Sequence, residues 1–366
     1  MAPIRVLLVE DSPVVLIVLQ RIFASSPEIE VVGTARNGLE ALELIPEVQP
    51  DVICTDFHMA KMNGLEFIRE VMVKFPRPIL VISASVQAED TSNVFQLLEA
   101  GAVDVFPKPT SGLASDYEGL RRELTGKIKI LSGVKVFTRH QRRGGAGERG
   151  SRGDGEMGRR GDGIITNYQL PISNYESKII KVLAVGASTG GPQALHAIIS
   201  QLPNDFPVPV ICIQHISEGF LKGLVDWLDG GSKLQVKIAV SGELPQAGTV
   251  YFPPEKRHLE LNKLGQFIYS NAPPVGGHCP SITVTFKSVA HFYGQAAAGV
   301  LLTGMGRDGA EGMLAIAQAG GLTIAQDEAS CIVFGMPKEA IALGAAQHVL
   351  PISAIAPLLL KKIGNC

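Results

Sequence analysis

Hydrophobic and polar positions alternate along residues 4–106 in a pattern that predicts strands and helices in turn. Each short apolar run in this part is followed by a stretch long enough for a helix. The runs are IRVLLVE, EVVGTA, DVICTD, PILVISA and AVDVF. Short apolar runs separated by helical segments are typical of buried parallel strands joined by crossover helices. The pattern therefore predicts a doubly wound, flavodoxin-like α/β sheet whose ligand site lies at the carboxyl ends of the strands.

The same alternation returns in the second half of the chain. Strands are predicted from the runs KVLAVGAS, VPVICIQH, AAAGVLLTG and LTIAQ, and a helix is predicted from Pro192 to Gln201. A loop-rich block from Ser241 to Pro280 contains two further strand candidates, GTVYFP and HLEL. The second half is therefore predicted to be a doubly wound, Rossmann-like α/β domain with an antiparallel insertion.

A segment between the two halves, residues 139–163, is almost free of apolar residues and rich in Gly and Arg. Such a segment cannot bury enough apolar surface to offset the loss of chain entropy, so it is predicted to be a flexible linker. Its arginines could contact nucleic acid, as RGG-like tracts do, but a solvated tether is the favoured interpretation. The predicted organisation is a first domain over 3–120, a linker over 121–178 and a second domain over 179–366.

The composition of the chain supports two globular domains. A length of 366 residues exceeds the usual size of one domain, and 46% hydrophobic residues allow two cores. The net charge of −2 gives no general attraction to nucleic acid or to anionic membranes, so neither is an expected partner. Five cysteines without C-x-x-C spacing are typical of reduced thiols. Since neither a signal peptide nor an apolar run of membrane-spanning length is present, we expect a cytoplasmic protein without membrane insertion.

Three carboxylates are predicted to meet at the carboxyl edge of the first sheet. Glu10 and Asp11 end the first strand, and Asp56 ends the third. Their hard oxygen ligands suit Mg²⁺. Ser83 ends the fourth strand and Lys108 follows the fifth. A carboxylate beside a divalent ion, a hydroxyl and an ammonium is suited to accept a phosphoryl group, because the metal and the lysine neutralise charge on the transferring oxygens.

A serine in a glycine-rich turn is the first chemical candidate in the second domain. Residues Gly186-Ala187-Ser188-Thr189-Gly190 fit G-x-S-x-G, in which small neighbours let a serine occupy a tight strand-to-helix turn. Gly186 and Gly190 are expected to allow that turn. The same residues could instead hold a phosphate at a helix N-terminus, although they lack the G-x-G-x-x-G and G-K-[ST] patterns. The turn alone leaves these two interpretations about equal.

Polar residues at other strand ends favour the nucleophilic serine. The next strand ends in His215, and a later strand runs into a glycine-rich loop that carries Asp308. Strands of one sheet would bring Ser188, His215 and Asp308 to one edge as nucleophile, base and orienting acid. Backbone N–H groups near Thr189 and Met305 could form an oxyanion site. The chain order Ser, His, Asp differs from that of ordinary α/β-hydrolases, which run Ser, Asp, His.

Motifs in both halves resemble those of one known family. The strand-end residues of the first half resemble a response-regulator receiver domain. The second half carries GASTGG, QH-x-x-x-x-F, PP-x-x-x-H-C-P-S, TGMGRDGAEGM and GMPKEAI. Together these motifs resemble the chemotaxis response-regulator protein-glutamate methylesterases. The resemblance implies a phosphorylation-regulated enzyme that removes methyl groups from glutamyl γ-methyl esters of methyl-accepting chemotaxis receptors and also deamidates receptor glutamines.

For the receiver, the resemblance implies a phosphorylation cycle. Asp56 is the expected phosphoacceptor, and Glu10, Asp11 and Asp56 are the expected Mg²⁺ ligands. Ser83 and Lys108 are the expected switch residues. A chemotaxis histidine kinase is implied as the phosphodonor.

For the second half, the resemblance implies a methylesterase domain. Ser188 is the expected nucleophile, His215 the general base and Asp308 the acid that orients it. Thr189 and Met305 are expected to line the oxyanion site. Chemotaxis receptors are the implied substrates, and no cofactor is expected for the esterase.

Three positions depart from the family pattern. Ala60 stands where receivers commonly carry proline, which changes the stiffness of a loop but removes no side chain that the chemistry requires. Cys279 and Thr283 stand where the family usually carries an arginine and an acid. These two changes are expected to affect receptor specificity or interdomain contacts and to leave the triad intact. The long Arg/Gly linker is also atypical of the family.

Other functions fit the sequence less well or stay open. A DNA-binding response regulator needs a helix-turn-helix or a basic surface after the linker, and neither follows Lys178. The complete triad disfavours a catalytically silent binding module. An esterase for a small ester or a non-chemotaxis receptor stays open as the alternative. In either enzyme we expect the unphosphorylated receiver to lie across the esterase cleft until Asp56 is phosphorylated.

Overall fold

The first domain is a parallel sheet between two layers of helices. The structure is a computed structural model and describes residues 2–83, 88–109, 114–134, 136 and 179–364. The strands of this domain are β1 (Ile4–Val9), β2 (Ile29–Ala35), β3 (Val52–Thr55), β4 (Ile79–Ser83) and β5 (Asp104–Pro107). Its helices are α1 (Pro13–Ala24), α2 (Gly38–Val48), α3 (Gly64–Lys74), α4 (Ala88–Ala100) and α5 (Ala114–Leu131). The strand order β2-β1-β3-β4-β5 confirms the predicted flavodoxin-like fold.

Local sequence signals fix where the first helices begin. The Ser12 hydroxyl accepts a hydrogen bond from the Val15 N–H at the start of α1. Asn63 and Glu66 form a reciprocal capping box at the start of α3. Each such cap stabilises its helix by about 1 kcal/mol. Because these helices begin directly after strand-end loops, the caps also hold the loops that carry Asp56 and its acidic neighbours.

Helix α5 extends the first domain beyond position 120, where the linker is predicted to begin. Three of its residues, Leu124, Ile128 and Leu131, are buried in the core of the first domain. Their spacing forms an apolar stripe on an otherwise polar helix. Residues 121–131 are therefore helical and packed, because this stripe buries apolar surface that the Arg/Gly-rich segment lacks. The Arg/Gly-rich segment itself, residues 139–163, lies outside the described residues.

The second domain is built on a larger parallel sheet. Its strands are β6 (Val182–Ala187), β7 (Val210–Gln214), β8 (Gln235–Ile238), β9 (Thr249–Phe252), β10 (His258–Leu261), β11 (Phe267–Ser270), β12 (Ala297–Leu301), β13 (Leu322–Gln326) and β14 (His348–Leu350). Its helices are α6 (Gly191–Ile199), α7 (Leu221–Gly230), α8 (Ile282–Tyr293), α9 (Ala310–Gln318), α10 (Met336–Ala342) and α11 (Ile352–Ile363). Among the described residues, no helix combines the length and the apolar character that a membrane span requires.

Strand β6 lies at the centre of this sheet and marks the point where the chain changes direction. In the described residues the order is β14-β13-β12-β6-β7-β9-β8, and all neighbouring strands are parallel. The chain proceeds from β6 to β7 on one side and later returns to β12 on the other. Doubly wound sheets bind ligands in the crevice at such a switch point. The carboxyl ends of β7, β6 and β12 are therefore adjacent.

The antiparallel insertion is smaller than the sequence predicts. Strand β10, from HLEL, pairs with β11 in a separate antiparallel ribbon. The candidate GTVYFP was predicted in the same insertion, but it forms β9, a parallel strand of the main sheet between β7 and β8. All four residues of β9 are buried, as an interior parallel strand requires. Edge strand β8 carries polar residues, which explains why its apolar pattern is too weak to predict it.

Candidate active site and phosphoacceptor site

Ser188 lies in the tight turn between β6 and α6. Its N–H donates to the carbonyl of Thr303, 3.0 Å away, and its own carbonyl accepts from the Gly191 N–H at 2.7 Å. The first bond ties the turn to the end of β12, and the second closes the turn directly before the helix. Ser188 is half-buried and lines a cavity at the carboxyl edge of the sheet.

The glycines around Ser188 serve different purposes. Gly190 has φ of 74°, a conformation that favours glycine, and a Cβ there would lie 2.6 Å from Ile332. A Cβ on Gly191 would lie 2.0 Å from the Gln214 side-chain oxygen. Gly186, predicted to allow the turn, lies instead within β6, where a Cβ would meet Ile282 at 2.4 Å. Gly186 is therefore required for close packing of the strand against α8, and Gly190 shapes the turn.

His215 follows β7 and pairs with Asp308 across the edge of the sheet. Its Nε2 lies 2.9 Å from Asp308 Oδ2. Since an ionised carboxylate only accepts hydrogen bonds, Nε2 carries the proton and Nδ1 carries the lone pair. Nδ1 is buried and has no hydrogen-bond partner in the described residues. The nitrogen available to act as a base is therefore Nδ1, in a cavity that Ser188 also lines.

Asp308 is held by hydrogen-bond donors from the start of α8 and from its own loop. Oδ1 accepts from the Ser281 hydroxyl at 2.8 Å and from the N–H groups of Thr283 and Gly309 at 3.0 Å each. Oδ2 accepts from the Ile282 N–H at 2.8 Å in addition to His215. Burial alone would raise the pKa of Asp308, but the hydrogen bonds from His215 and Thr283 hold it well below its usual value. The carboxylate therefore stays ionised at neutral pH.

Thr283, which the sequence analysis expected to affect receptor specificity or interdomain contacts, lies directly beside Asp308. Its hydroxyl oxygen accepts a hydrogen bond from the Gly309 N–H at 2.7 Å, and its side chain is buried. An acid at this position would place a second negative charge beside Asp308. Threonine supplies an acceptor without that charge. The other departure, Cys279, lines the cavity with Ser188 and His215.

A second histidine, which the sequence reasoning did not single out, stacks on the first. The rings of His215 and His278 lie 3.8 Å apart with an interplanar angle of 3°. Burial lowers the pKa of His278 to about 4. His278 is therefore neutral at pH 7 and presents a flat apolar face to the ring of His215. In the sequence, the only indication of His278 was that it begins the H-C-P-S motif, two residues before the proline.

Thr189 and Met305, the predicted oxyanion residues, line the same cavity as Ser188 and His215. Thr189 is buried, and Met305 is 52% exposed at the rim. The backbone N–H groups of both residues have no acceptor among the described residues. Two unpaired N–H donors near a serine are the arrangement that stabilises an oxyanion.

The first domain covers this cavity. The space measures about 570 Å³ and is bounded on one side by α5 and on the other by the loops after β6, β7 and β12. The residues from α5 are Arg122, Glu123, Gly126, Lys127 and Ile130. The Ser217 hydroxyl donates to a Glu123 carboxylate oxygen, 3.2 Å away, across the domain boundary. Access to Ser188 in this arrangement is therefore limited by α5.

An aromatic stack holds the two domains together beside the cavity. Trp227 of α7 lies between the rings of Phe95 on α4 and His196 on α6, with centroid distances of 5.5 and 4.8 Å. The Trp227 indole N–H donates to a carboxylate oxygen of Glu99 at 3.0 Å. The Gln193 amide donates to the backbone carbonyl of residue 102 at 2.7 Å. Helices α4 and α5 of the first domain therefore both contact the second domain.

The predicted acidic site forms at the carboxyl edge of the first sheet. Lys108 Nζ lies 2.7 Å from Asp56 Oδ2 and 3.0 Å from Glu10 Oε1. Ser83 is buried at the neighbouring strand end, and its carbonyl accepts from the Lys108 N–H at 2.9 Å. One carboxylate oxygen from each of Glu10, Asp11 and Asp56 lies within 4.8 Å of the others. The structure thus brings all five predicted residues to one edge.

The electrostatics of this site favour added positive charge. Burial, followed by the charge of Asp56, raises the pKa of Glu10, and burial raises the pKa of Asp56. Burial alone would lower the pKa of Lys108, but its bonds and charge interactions with the two carboxylates raise it. Glu10 Oε2 is buried without a hydrogen-bond partner in the described residues. Three clustered carboxylates with an unpaired oxygen fit a hard divalent cation such as Mg²⁺.

The two sites define a class of protein: a receiver-type domain with an acidic site at its strand ends, which covers a second α/β domain whose cavity is lined by a serine and a histidine paired with an aspartate. Comparison with sequence models of known families agrees. The response regulator receiver domain matches residues 6–113, and the CheB methylesterase domain matches residues 183–359.

Full-length relatives identify the family. The protein-glutamate methylesterase/protein-glutamine glutaminase 1 of Syntrophus aciditrophicus (strain SB) is 40% identical over 362 residues, which cover 99% of each chain. A protein-glutamate methylesterase/protein-glutamine glutaminase of Nitrosospira multiformis is also 40% identical, over 99% of this chain and 98% of the relative. The chain belongs to the protein-glutamate methylesterase/protein-glutamine glutaminase family. The crystal structure of the Thermotoga maritima CheB methylesterase catalytic domain is 38% identical and covers 50% of this chain and 99% of that chain, with a TM-score of 0.49.

The pair of His215 and Asp308 predicts how stability depends on pH. Replacing the carboxylate in Asp308→Asn is expected to lower the free energy of unfolding by about 3 kcal/mol at pH 7, because buried charge-assisted hydrogen bonds are lost. The folded-state pKa of Asp308 lies below the unfolded value of about 3.9. Its stabilisation is therefore present above that value and is lost as the pH falls towards the folded pKa. Urea denaturation of the full chain should show the difference between variant and wild type shrinking in acid.

A matched control is Glu311→Gln, which changes an exposed carboxylate on α9 near the same loop. At pH 7 and in acid, this variant is expected to have the same free energy of unfolding as the wild type, because exposed ion pairs contribute little to stability. An Asp308→Asn variant that unfolds like Glu311→Gln at pH 7 would contradict the interpretation that Asp308 is a stabilised buried anion.

Proposed function

We propose that this chain removes methyl groups from glutamyl γ-methyl esters of chemotaxis receptors, with Ser188 as nucleophile, His215 as base and Asp308 as the acid that orients the base. One observation carries the assignment of these roles. Asp308 holds His215 Nε2 at 2.9 Å, which leaves the buried Nδ1 without a partner in the cavity that Ser188 lines. A base in this tautomer can take a proton from a serine hydroxyl.

The proposed reaction is an acyl transfer in two halves. Ser188 Oγ attacks the ester carbonyl carbon while its proton moves to His215 Nδ1. The tetrahedral intermediate collapses, and His215 returns the proton to the departing methoxide, so methanol leaves and an acyl-enzyme remains. His215 then takes a proton from water, which attacks the acyl carbon. The second tetrahedral intermediate collapses, the bond from the acyl carbon to Ser188 Oγ breaks, and His215 returns the proton to Ser188 Oγ. The products are the free glutamate side chain and the regenerated serine.

The surroundings of the triad support this reaction. The imidazolium that forms on His215 is stabilised by Asp308, whose lowered pKa keeps it ionised. The free N–H groups of Thr189 and Met305 supply hydrogen bonds for the oxyanion of the tetrahedral intermediate. No metal or other cofactor is needed for any of these proton transfers.

The same site can also hydrolyse a side-chain amide. Both relatives described above carry protein-glutamine glutaminase in their names. With glutamine as substrate, Ser188 attacks the carboxamide carbon, and the proton on His215 leaves with ammonia instead of methanol. The acyl-enzyme is the same in both reactions. We therefore propose that the chain deamidates receptor glutamines as a second activity.

We propose that Asp56 accepts a phosphoryl group from a histidine kinase of the chemotaxis system. Mg²⁺, which Glu10, Asp11 and Asp56 would hold, supplies positive charge to the phosphoryl oxygens. Lys108 contacts both Asp56 and Glu10 and is placed to contact a phosphoryl oxygen on Asp56. Phosphorylation of Asp56 would draw Lys108 and the neighbouring end of β5 towards the new charge. The buried Ser83 hydroxyl lies at the adjacent strand end.

The position of α5 across the cavity supports control of the esterase by the receiver. In the closed arrangement α5 limits access to Ser188, while α4 is held by the Trp227 stack. We propose that phosphorylation shifts the population towards an arrangement in which α5 leaves the cavity. Lys108 directly follows β5, and α5, which covers the site, is the next element in the chain, which gives a short route for the coupling.

The first test removes the proposed nucleophile. Ser188→Ala is expected to lower methanol release from a receptor fragment carrying glutamyl γ-methyl esters by about 10⁴-fold or more, because no acyl-enzyme can form. Ser200→Ala, in the same domain but at the far end of α6, should keep the wild-type rate. Retention of activity by Ser188→Ala would show that another residue is the nucleophile.

The second test addresses the metal site through stability. Millimolar Mg²⁺ is expected to raise the thermal midpoint of the receiver, by about 4 °C for each kcal/mol of binding free energy. Glu10→Gln and Asp11→Asn should lose this shift, and Glu118→Gln, an exposed acid of α5, should keep it.

Because the folded pKa of Glu10 is raised, its ionised form destabilises the metal-free fold at pH 7. Glu10→Gln without Mg²⁺ should therefore be at least as stable as the wild type, and an Mg²⁺ shift retained in both variants would exclude this site.

The third test loosens the interface between the domains. Trp227→Ala removes the aromatic stack and is expected to raise the rate of methanol release by the unphosphorylated enzyme about tenfold. The reason is that losing about 1.4 kcal/mol of interaction free energy across the interface changes the ratio of closed to open molecules tenfold. The rate with a phosphodonor should stay near the wild-type rate. Lys222→Ala, on the exposed side of the same helix, is the control. An unchanged basal rate in Trp227→Ala would show that the closed arrangement does not restrain the enzyme.

A further inference from the structure

Another histidine of the second domain, His258, is completely buried and takes no part in the reaction described above. His258 begins β10, and none of its surface is exposed. Its Nδ1 lies 3.1 Å from the Ser281 backbone nitrogen, and its Nε2 lies 3.3 Å from the carbonyl oxygen of Pro273. Both ring nitrogens are therefore engaged by backbone groups.

The partners of His258 determine its protonation. A backbone N–H only donates, so Nδ1 must carry a lone pair to accept from Ser281. A backbone carbonyl only accepts, so Nε2 must carry the proton that is donated to Pro273. His258 is therefore a neutral imidazole in one tautomer. Only that tautomer fits between the two loops.

The residue that His258 holds belongs to the group that surrounds Asp308. Ser281 is the N-cap of α8, and its hydroxyl donates to Asp308 Oδ1 at 2.8 Å. The next two residues, Ile282 and Thr283, donate their N–H groups to the same carboxylate. The backbone direction at Ser281 sets where these three donors lie. A hydrogen-bonded chain thus runs from His258 through Ser281 and Asp308 to His215 Nε2.

We propose that His258 is a positioning residue for the esterase reaction. By fixing the backbone of Ser281, it places the donors that orient the Asp308 carboxylate, and Asp308 in turn orients His215. This inference rests on the proposed role of the triad. Small displacements of an orienting carboxylate lower the rate of the chemical step while leaving substrate binding unchanged.

The structure offers a control that distinguishes two roles for His258: positioning the donors around Asp308, or simply attaching β10 to α8. Two other hydrogen bonds join these elements. The Thr285 hydroxyl donates to the Leu259 carbonyl in a buried bond, and the Leu261 N–H donates to the Ser288 hydroxyl oxygen in a partly buried one, both at 2.8 Å. Neither bond involves the group around Asp308. If His258 only attached β10 to α8, then Ser288→Ala and His258→Phe would affect catalysis alike.

The test compares His258→Phe with His258→Asn in the full chain, using methanol release from a methylated receptor fragment. Phenylalanine keeps a ring but has no acceptor, and His258→Phe is expected to lower kcat about 10- to 100-fold with KM within twofold of wild type. In His258→Asn the side-chain oxygen can replace Nδ1 as the acceptor for Ser281, so kcat should stay within about threefold of wild type. Ser288→Ala should leave kcat unchanged.

A double variant tests whether the effect passes through Asp308. In an Asp308→Asn background, His258→Phe is expected to lower kcat by less than about twofold, because the group that it positions is already impaired. A full additional loss in that background would overturn the proposal. So would a His258→Phe enzyme with wild-type kcat, or a His258→Asn enzyme as slow as His258→Phe.

Two further variants distinguish failure of the His258 proposal from a folding defect and from failure of the triad assignment. If His258→Phe does not fold, His258→Leu serves instead, since it also lacks an acceptor for the Ser281 N–H and is smaller than phenylalanine. A His258→Leu enzyme with wild-type kcat would then overturn the proposal. Activity retained in Ser188→Ala would overturn the triad itself. Loss of activity in Ser188→Ala together with a wild-type rate in His258→Phe would overturn only the role of His258.

Discussion

The buried carboxylate of Asp308 is the constraint on which the second domain depends. An ionised carboxylate away from water is costly unless donors surround it, and here five hydrogen bonds do so. Those donors come from the start of α8, the loop after β12 and the end of β7. The need to satisfy one charge therefore fixes the relative positions of three elements, and it also selects the tautomer of His215.

The two chemistries of the chain lie at equivalent places in two separate sheets. The proposed phosphoryl chemistry is assigned to the strand ends of the first domain, where burial raises the pKa values of Asp56 and Glu10. The proposed acyl transfer is assigned to the strand ends of the second domain, where hydrogen bonds lower the pKa of Asp308. The opposite directions of these pKa shifts suit the proposed role of each site. The carboxylates of the first domain favour an incoming cation and phosphoryl group, whereas Asp308 stays ionised beside the histidine proposed as the base.

Some local expectations were wrong because a one-dimensional pattern does not report which residues become neighbours. GTVYFP was placed in the insertion, yet β9 belongs to the main sheet, since strand pairing depends on the path of distant segments. Gly186 was assigned to the turn, and only the approach of Ile282 from α8 reveals its packing role. The first domain was predicted to end at position 120, whereas helix α5 continues to Leu131. Thr283 looked peripheral until the fold placed it behind Asp308.

The sequence by itself determined the two α/β domains, and it predicted the acidic strand ends and the candidate residues Ser188, His215 and Asp308 that the fold brings to the sheet edges. These follow from apolar periodicity and from the rule that parallel strands present their carboxyl ends at one edge. Tertiary structure alone decided which nitrogen of His215 faces Asp308, how His258 reaches the triad through Ser281, and that α5 covers the cavity. The physical reason is that hydrogen-bond direction, burial and domain contact depend on distances between segments far apart in the chain, and no local pattern encodes those distances.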